Sequence, residues 1–257
     1  MKKILLRADD LGYSEAVNYG IEKSVKHGLI RSVGVMVNMP ATMHGVGLLR
    51  QENIAFGQHT NICVGRPMSD PAFIPSLVDE HGYFKSSKEY RKATEDFVDF
   101  NEALLEIEAQ YQAFLALFGR KPDYFEGHAI ASENFFRALE HFANAHNLTY
   151  SGLPKDTDPN SLDEDASIMV NETKVYLTME SMNEDYDPYQ TFDKLLAHFH
   201  EDGVEMIIFH PGYLDDFLLN HSSLLVPRTK EVEMLTNPLI ARKLEEAQIE
   251  RIDYRDL

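Results

Sequence analysis

The chain is short of cysteine, of basic charge and of long apolar runs, and each shortage closes off a class of protein. Cys63 is the one cysteine in 257 residues, so no disulfide can form within the chain and no cysteine-based zinc site can be built. Lys and Arg number 24 against 42 Asp and Glu, a net charge of −18. Nucleic-acid binders carry a basic footprint, so a phosphate-backbone partner is excluded, and anionic membrane surfaces are disfavoured for the same reason. The apolar stretch behind Lys2-Lys3 is too short for a signal peptide, and no later run approaches the roughly 18 apolar residues of a membrane helix. These shortages describe a soluble, cytoplasmic protein. Tryptophan is also missing, which decides nothing.

What remains is ample for a core: 44% of residues are hydrophobic. Ile4 to Ala8 reads as a buried strand, Ser14 to His27 as a helix stopped by Gly28, Val33 to Val37 as a second strand, 41–50 as a helix and Ile54 to His59 as a third strand. That is the rhythm of a parallel α/β protein. Pro67, Pro71, Pro75, Gly65 and Gly82 then interrupt it, so 61–85 reads as a long functional loop with room for one short helix. Residues 87–118 read as one helical stretch, Pro122 to Glu126 as strand four, 133–146 as a helix and Leu148 to Ser151 as a short strand. Pro154 to Asp165 reads as a surface loop and 167–180 as extended. A helix over 189–201, a strand from Val204 to Phe209, helices near 229–235 and 237–247, and a last strand from Ile249 to Tyr254 complete the chain. With no repeat and no linker, 1–257 reads as a single domain.

Four strand ends carry chemistry: Asp9-Asp10, Gly57-Gln58-His59, Glu126-Gly127-His128 and Phe209-His210-Pro211-Gly212. The C-terminal ends of parallel strands open on one face, and that face hosts active sites. Asp9, Asp10, His59, His128 and His210 therefore converge if the strands are right. One carboxylate with two imidazoles is a common set for a catalytic divalent metal. Two adjacent acids at a strand's last residue, where the chain bends, can divide the labour: one binds the metal and the other takes a proton from water, while a separate His protonates the leaving group. Each motif has a plainer reading. Asp-Asp can be a turn before the Ser14 cap, and a lone His after a strand is more often core or surface. His27, His44, His81, His141, His146, His198, His200 and His221 are read as structural, with His198 and His200 on a helix facing different ways. The stretch Asp185 to Tyr189 reads as a solvated loop, and Cys63 as a small buried residue near the site.

Taken together, Ala8-Asp9-Asp10-Leu11-Gly12, His59, Gly127-His128, His210-Pro211-Gly212, His81-Gly82-Tyr83-Phe84, and Arg228 with Glu231, Glu233 and Leu235 resemble the YdjC-like carbohydrate deacetylases, a family that includes the chitooligosaccharide (diacetylchitobiose) deacetylases. The resemblance runs the length of the chain, in order. It implies an α/β fold of the distorted (β/α) TIM-like barrel type. It also implies one divalent metal ion, Mg or Zn, on Asp10, His59 and His128, with Asp9 as catalytic base and His210 as general acid. The activity implied is hydrolysis of the N-acetyl group of an amino sugar or short chitooligosaccharide, a small carbohydrate substrate, and a homodimer is reasonable. Arg228, Tyr83 and Phe84 are the candidates for substrate contact: Arg228 could orient substrate or Asp9, and the aromatics, with Phe73, could stack on a sugar or pin the loop. The family's mid-chain motif usually reads Asp-Ser-His-Gln-His-Val-His, and here Ile130 and Ser132 stand at its two later histidines, which puts chitobiose itself in question more than the reaction class. Two rivals use the same residues: a metal-dependent phosphoesterase on the same barrel, for which Arg7, Arg66 and Arg228 are the available cations, and a non-catalytic sugar- or metal-binding regulatory member.

Overall fold

The computed structural model describes residues 2–154, 162, 163 and 165–257. Seven strands, β1 (Lys3–Leu11), β2 (Ser32–Val35), β3 (Ala55–Thr60), β4 (Tyr124–Gly127), β5 (Ser167–Val170), β6 (Thr173–Thr178) and β7 (Val204–Phe209), line up in the order β4-β3-β2-β1-β7-β6-β5, and β8 (Glu250–Ile252) pairs with β1. Every pairing is parallel except the β5–β6 hairpin at one edge. Helices α1 (Glu15–Lys26), α2 (Thr42–Leu49), α3 (Ser87–Lys92), α4 (Phe100–Phe118), α5 (Glu133–His146), α6 (Pro188–Ala197), α7 (Asp216–His221), α8 (Val226–Leu235) and α9 (Pro238–Glu246) fill the connections. The architecture is mixed α/β with a curled, barrel-like sheet. No helix among the described residues is long and apolar enough to cross a membrane.

Alternation along the strands sorts the core into an outer and an inner side. Ile4, Leu6 and Ala8 of β1, Phe56 of β3, and Ile207 and Phe209 of β7 join the cluster packed under the helices. Leu5, Ala55, Tyr124, Met206 and Ile208 form a separate inner cluster with Tyr254. Continuing each inner row in steps of two residues gives Arg7 and Asp9, His59, Glu126 and His128, and His210.

Helix boundaries follow local chemistry. Ser14 caps α1 by accepting the Val17 N–H, and Asp99 caps α4 through the N–H groups of Asn101 and Glu102. Gly119, at φ 68°, closes α4 in the left-handed conformation that glycine enters without cost. The expected single helix over 87–118 is two, because 93–99 leaves the helix: Asp96 turns to accept from Ser132 Oγ and the Asn134 N–H, and Asp99 restarts the helix. The expected strand at Leu148–Ser151 reduces to one bridge between Phe125 and Tyr150. The short helix α7 was not expected. Helix α6 stops at Ala197, so His198 caps it and His200 lies beyond, held by Glu205 and Asp165. Asp185 to Tyr189 is not a solvated loop: Asp187 caps α6, and Tyr186 is buried with its hydroxyl on Glu231. Most of the surface loop expected at Pro154–Asp165 lies outside the described residues. The 61–85 loop holds one 3-10 turn (Pro71–Phe73) and is pinned to α4 by buried Glu106, which accepts the N–H groups of Met68 and Ser69.

Candidate metal centre and active site

The end of β1 departs from regular strand. From Ala8 to Leu11 it advances three residues while β2 advances two, Val33 to Val35, which marks a β-bulge. Asp10 takes the extra place at φ 76°, a conformation rare for a non-glycine residue and commonest where function requires it. A regular strand would point Asp9 inward and Asp10 outward. The bulge turns Asp10 inward as well, so both carboxylates reach the inner face within the strand, and not because the strand has ended.

Asp10 Oδ1, His59 Nε2 and His128 Nδ1 stand 3.3, 3.1 and 2.8 Å apart, pairwise. For metal–ligand bonds of about 2.1 Å meeting at near-tetrahedral to right angles, ligand atoms are separated by about 3.0–3.4 Å; the two distances from Asp10 fall in that range and the two imidazole nitrogens stand slightly closer. Asp10 Oδ1 is also fully buried and makes no well-aligned hydrogen bond, meeting instead the two imidazole nitrogens, an arrangement the fold would not bear for packing alone. The residues therefore fit a divalent cation. A second buried group, Asp9, His59 and Glu126, shares His59 with the first. Its carboxylates already have partners: Glu126 Oε1 is 2.5 Å from His59 Nδ1, and Arg7, outside the group, lies 2.8 Å from Asp9 Oδ2 and 3.8 Å from Glu126 Oε2. A carboxylate on the far nitrogen of a ligating histidine fixes its tautomer and orientation. Glu126 and Arg7 are the residues that sequence reasoning passed over as parts of this centre. The available signal was a charge two residues upstream of His128 and of Asp9 in otherwise apolar strands.

Charges follow these contacts. Burial raises the Asp9 carboxyl, but Arg7, His59 and His210 bring it below its ordinary range. Burial raises Asp10 too, and Arg228 and His128 hold it well below that range. Burial lowers His128, yet the Asp10 carboxylate lifts it to about 9, and Glu126 and Asp9 likewise raise His59. A cation would take the place of those protons, since only neutral imidazoles ligate. His210 goes the other way: burial outweighs Asp10 and Asp9 and lowers it to about 4, so this imidazole is neutral at pH 7. Its Nδ1 is 3.1 Å from Ser181 Oγ, which leaves Nε2 for the cavity, and its backbone N–H donates to Glu231 Oε2 at 2.6 Å.

The centre forms the floor of a cavity of about 520 Å³, in the range of small-molecule sites. All five residues expected to converge line it. Arg228 is there but buried, donating to Asp10 Oδ2 at 2.7 Å and to the carbonyls of Leu224 and His210, so it orients Asp10 and not Asp9. Phe84 is packed in the core beside Ile74 and Leu77, which is the loop-pinning role, although its edge meets the cavity. Tyr83 is exposed at the wall with the Arg66 guanidinium 4.1 Å from its ring centre, and Phe73 is outside the cavity. Ile130 is buried in the same core while also lining the cavity, and Ser132 caps α5 and bonds Asp96. Cys63 is buried and lines the cavity.

The fold is a curled, mostly parallel α/β sheet, and the carboxylate and two imidazoles gathered at the C-terminal ends of its strands are a candidate metal site. The YdjC-like protein family model matches residues 3–246, and the chain belongs to that family. It is 29% identical to a carbohydrate deacetylase of Clostridium beijerinckii, over 99% of this chain and 100% of that one. It is 26% identical to a chitooligosaccharide deacetylase of Yersinia enterocolitica, over 99% of each. A crystal structure of an Enterococcus faecalis protein superposes with a TM-score of 0.83 at 26% identity, covering 99% of this chain and 98% of that one.

Proposed function

We propose that the protein is a divalent-metal-dependent hydrolase that removes the N-acetyl group from an N-acetylated amino sugar or a short chitooligosaccharide. The observation that carries this reading is the trio Asp10 Oδ1, His59 Nε2 and His128 Nδ1 with a second, uncommitted carboxylate oxygen beside it: Asp9 Oδ1 is buried and bonded to nothing, while Oδ2 is held by Arg7. Family membership and the carbohydrate deacetylases among the relatives supply the reaction class. A cation on the trio would polarise the acetyl carbonyl and acidify water. Asp9 Oδ1 accepts the proton of the attacking water, and His210 Nε2 returns one to the departing amine. Because His210 rests neutral, the proton it delivers is one it must first take up, and the carboxylates of Asp9 and Asp10 favour that uptake. Asn220, Ser222 and Ser223 give the cavity lining hydroxyl and amide groups for sugar hydroxyls, and Met179, Met182 and Leu224 give it apolar surface.

The phosphoesterase alternative loses two of its three cations, since Arg7 is committed to Asp9 and Arg228 to Asp10. The test is acetate release from N-acetylglucosamine oligomers by protein loaded in turn with Mg, Mn, Co and Zn, beside Asp9→Asn. Lys88 and Arg91 on the cavity wall make phosphorylated oligomers a second arm. Metal-dependent release, abolished by Asp9→Asn, is expected. Stoichiometric metal with no release from any oligomer would mean that the site is real and the substrate is not one of these sugars, and failure to bind any divalent cation would overturn the mechanism.

A further inference from the structure

Three carboxylates, Asp9, Asp10 and Glu126, lie within one buried centre, and two arginines answer them unequally. Arg228 serves Asp10 alone among them, whereas Arg7 faces two: its Nη2 is 2.8 Å from Asp9 Oδ2 and 3.8 Å from Glu126 Oε2. Each carboxylate spends one oxygen on Arg7 and directs the other to the chemistry. Asp9 keeps Oδ1 free, and Glu126 places Oε1 on His59 Nδ1, which leaves His59 Nε2 in the trio. Arg7 is itself seated by its other nitrogen, which donates to Tyr254 Oη at 3.0 Å; that hydroxyl also pairs with Ser151 Oγ, and the Tyr254 ring stacks on Tyr124 at 3.8 Å. A methyl group at Gly34 would come within 2.9 Å of Asp9 Oδ1 and 3.4 Å of Glu126 Oε1, so the bare glycine leaves Asp9 Oδ1 the space it occupies.

We propose that Arg7 and Glu126 are a linked pair of positioning residues, a bridge that holds Asp9 and the His59 ring in one mutual geometry. Neither touches the reacting atoms. The inference rests on the reading of Asp9 as base and His59 as ligand given above. Arginine suits the post because its planar fork presents separate nitrogens to Tyr254 and to the two carboxylates, which the single ammonium of lysine cannot do.

The experiment is a calorimetric titration of Zn into wild type, Arg7→Met, Arg7→Lys, Glu126→Gln and the Arg7→Met/Glu126→Gln double variant, with kcat and KM measured beside it. Loss of a partner behind a ligating histidine costs roughly 10–100-fold in metal affinity, and Glu126→Gln is expected in that range. Arg7→Met, which touches no ligand, is expected to weaken Zn as well, and to lower kcat more than it raises KM. The double variant should be no worse than its weaker-binding parent, because residues in one network do not act independently. A purely structural role for Arg7 would lower the melting temperature while Zn affinity stayed at the wild-type value; that result, or losses that simply multiply, would overturn the bridge. If Arg7→Met does not fold, Arg7→Lys keeps the charge without the fork and is expected to bind Zn more weakly than wild type; equal affinity would count against the proposal. The titration needs no substrate, so a wrong sugar leaves it untouched. If the wild type binds no Zn, the metal reading fails on its own, and the bridge is then judged from the His59 ring protons by NMR, which Arg7→Met must shift for the proposal to stand.

Discussion

Replacing Arg228 by Met keeps the apolar stem and deletes the guanidinium, and the cost can be worked from its contacts. Asp10 Oδ2 loses a 2.7 Å ion pair in which both side chains are buried, and the carbonyls of Leu224 and His210 lose donors. Removing one partner of a buried pair costs about 3–5 kcal/mol, because the other charge is left without compensation. At about 2–4 °C per kcal/mol for a chain of this size, the melting temperature should fall by roughly 6–20 °C. Asp10→Asn removes the charge that Arg228 answers, so the Asp10→Asn/Arg228→Met double variant should be more stable than the sum of the single losses by about 0.5–3 kcal/mol. Thermal and urea melts of the four proteins, stripped of metal, read both quantities. An Arg228→Met melt within about 2 °C of wild type, under 1 kcal/mol, would refute the assignment of Arg228 as the Asp10 counter-ion. Losses that add would show that the damage comes from the two carbonyls instead.

Gly34→Ala places a methyl 2.9 Å from Asp9 Oδ1 and 3.2 Å from His59 Cβ. It should cost on the order of 10²-fold in kcat/KM, the penalty of an ångström-scale misplacement, with the fold intact by circular dichroism; wild-type turnover would mean the centre tolerates displacement. His210, lowered to about 4 by burial, should show ring-proton shifts in NMR that stay flat from pH 8 to about 5. Its folded pKa lies below the unfolded value, so the stability it supports is present above about 6.5 and drains away as pH falls toward 4; a midpoint near 6.5 in the native protein would contradict its burial. Asp96→Ala removes the acceptor for Ser132 Oγ and the Asn134 N–H and should cost about 1 kcal/mol in urea melts without changing Zn affinity.

Much of the centre was legible because strand parity carries it. Once β3, β4 and β7 are recognised as parallel strands, His59, His128 and His210 fall on the same inward row as Ala55, Tyr124 and Ile208, and only the strand ends have to be found. The same parity, applied two residues further back, would have drawn in Arg7 and Glu126, whose charges have no place in an apolar core unless they answer each other. Three features were not legible. The break at 93–99 depends on Asp96 finding Ser132, which lies 36 residues away, and no local pattern announces it. The burial of Arg228 depends on Asp10, 218 residues away, and nothing in the sequence around Arg228 announces that partner. Asp10 itself defeats parity: on a regular strand it would join Ala8 in the outer core, and only the bulge at φ 76° brings it beside Asp9. A strained backbone at that point is the means by which one strand delivers two adjacent carboxylates to one face. Their partners then set the two carboxylates apart, Arg228 and two imidazoles around Asp10 and Arg7 behind Asp9; on the function proposed above, the first is the cation ligand and the second the proton acceptor.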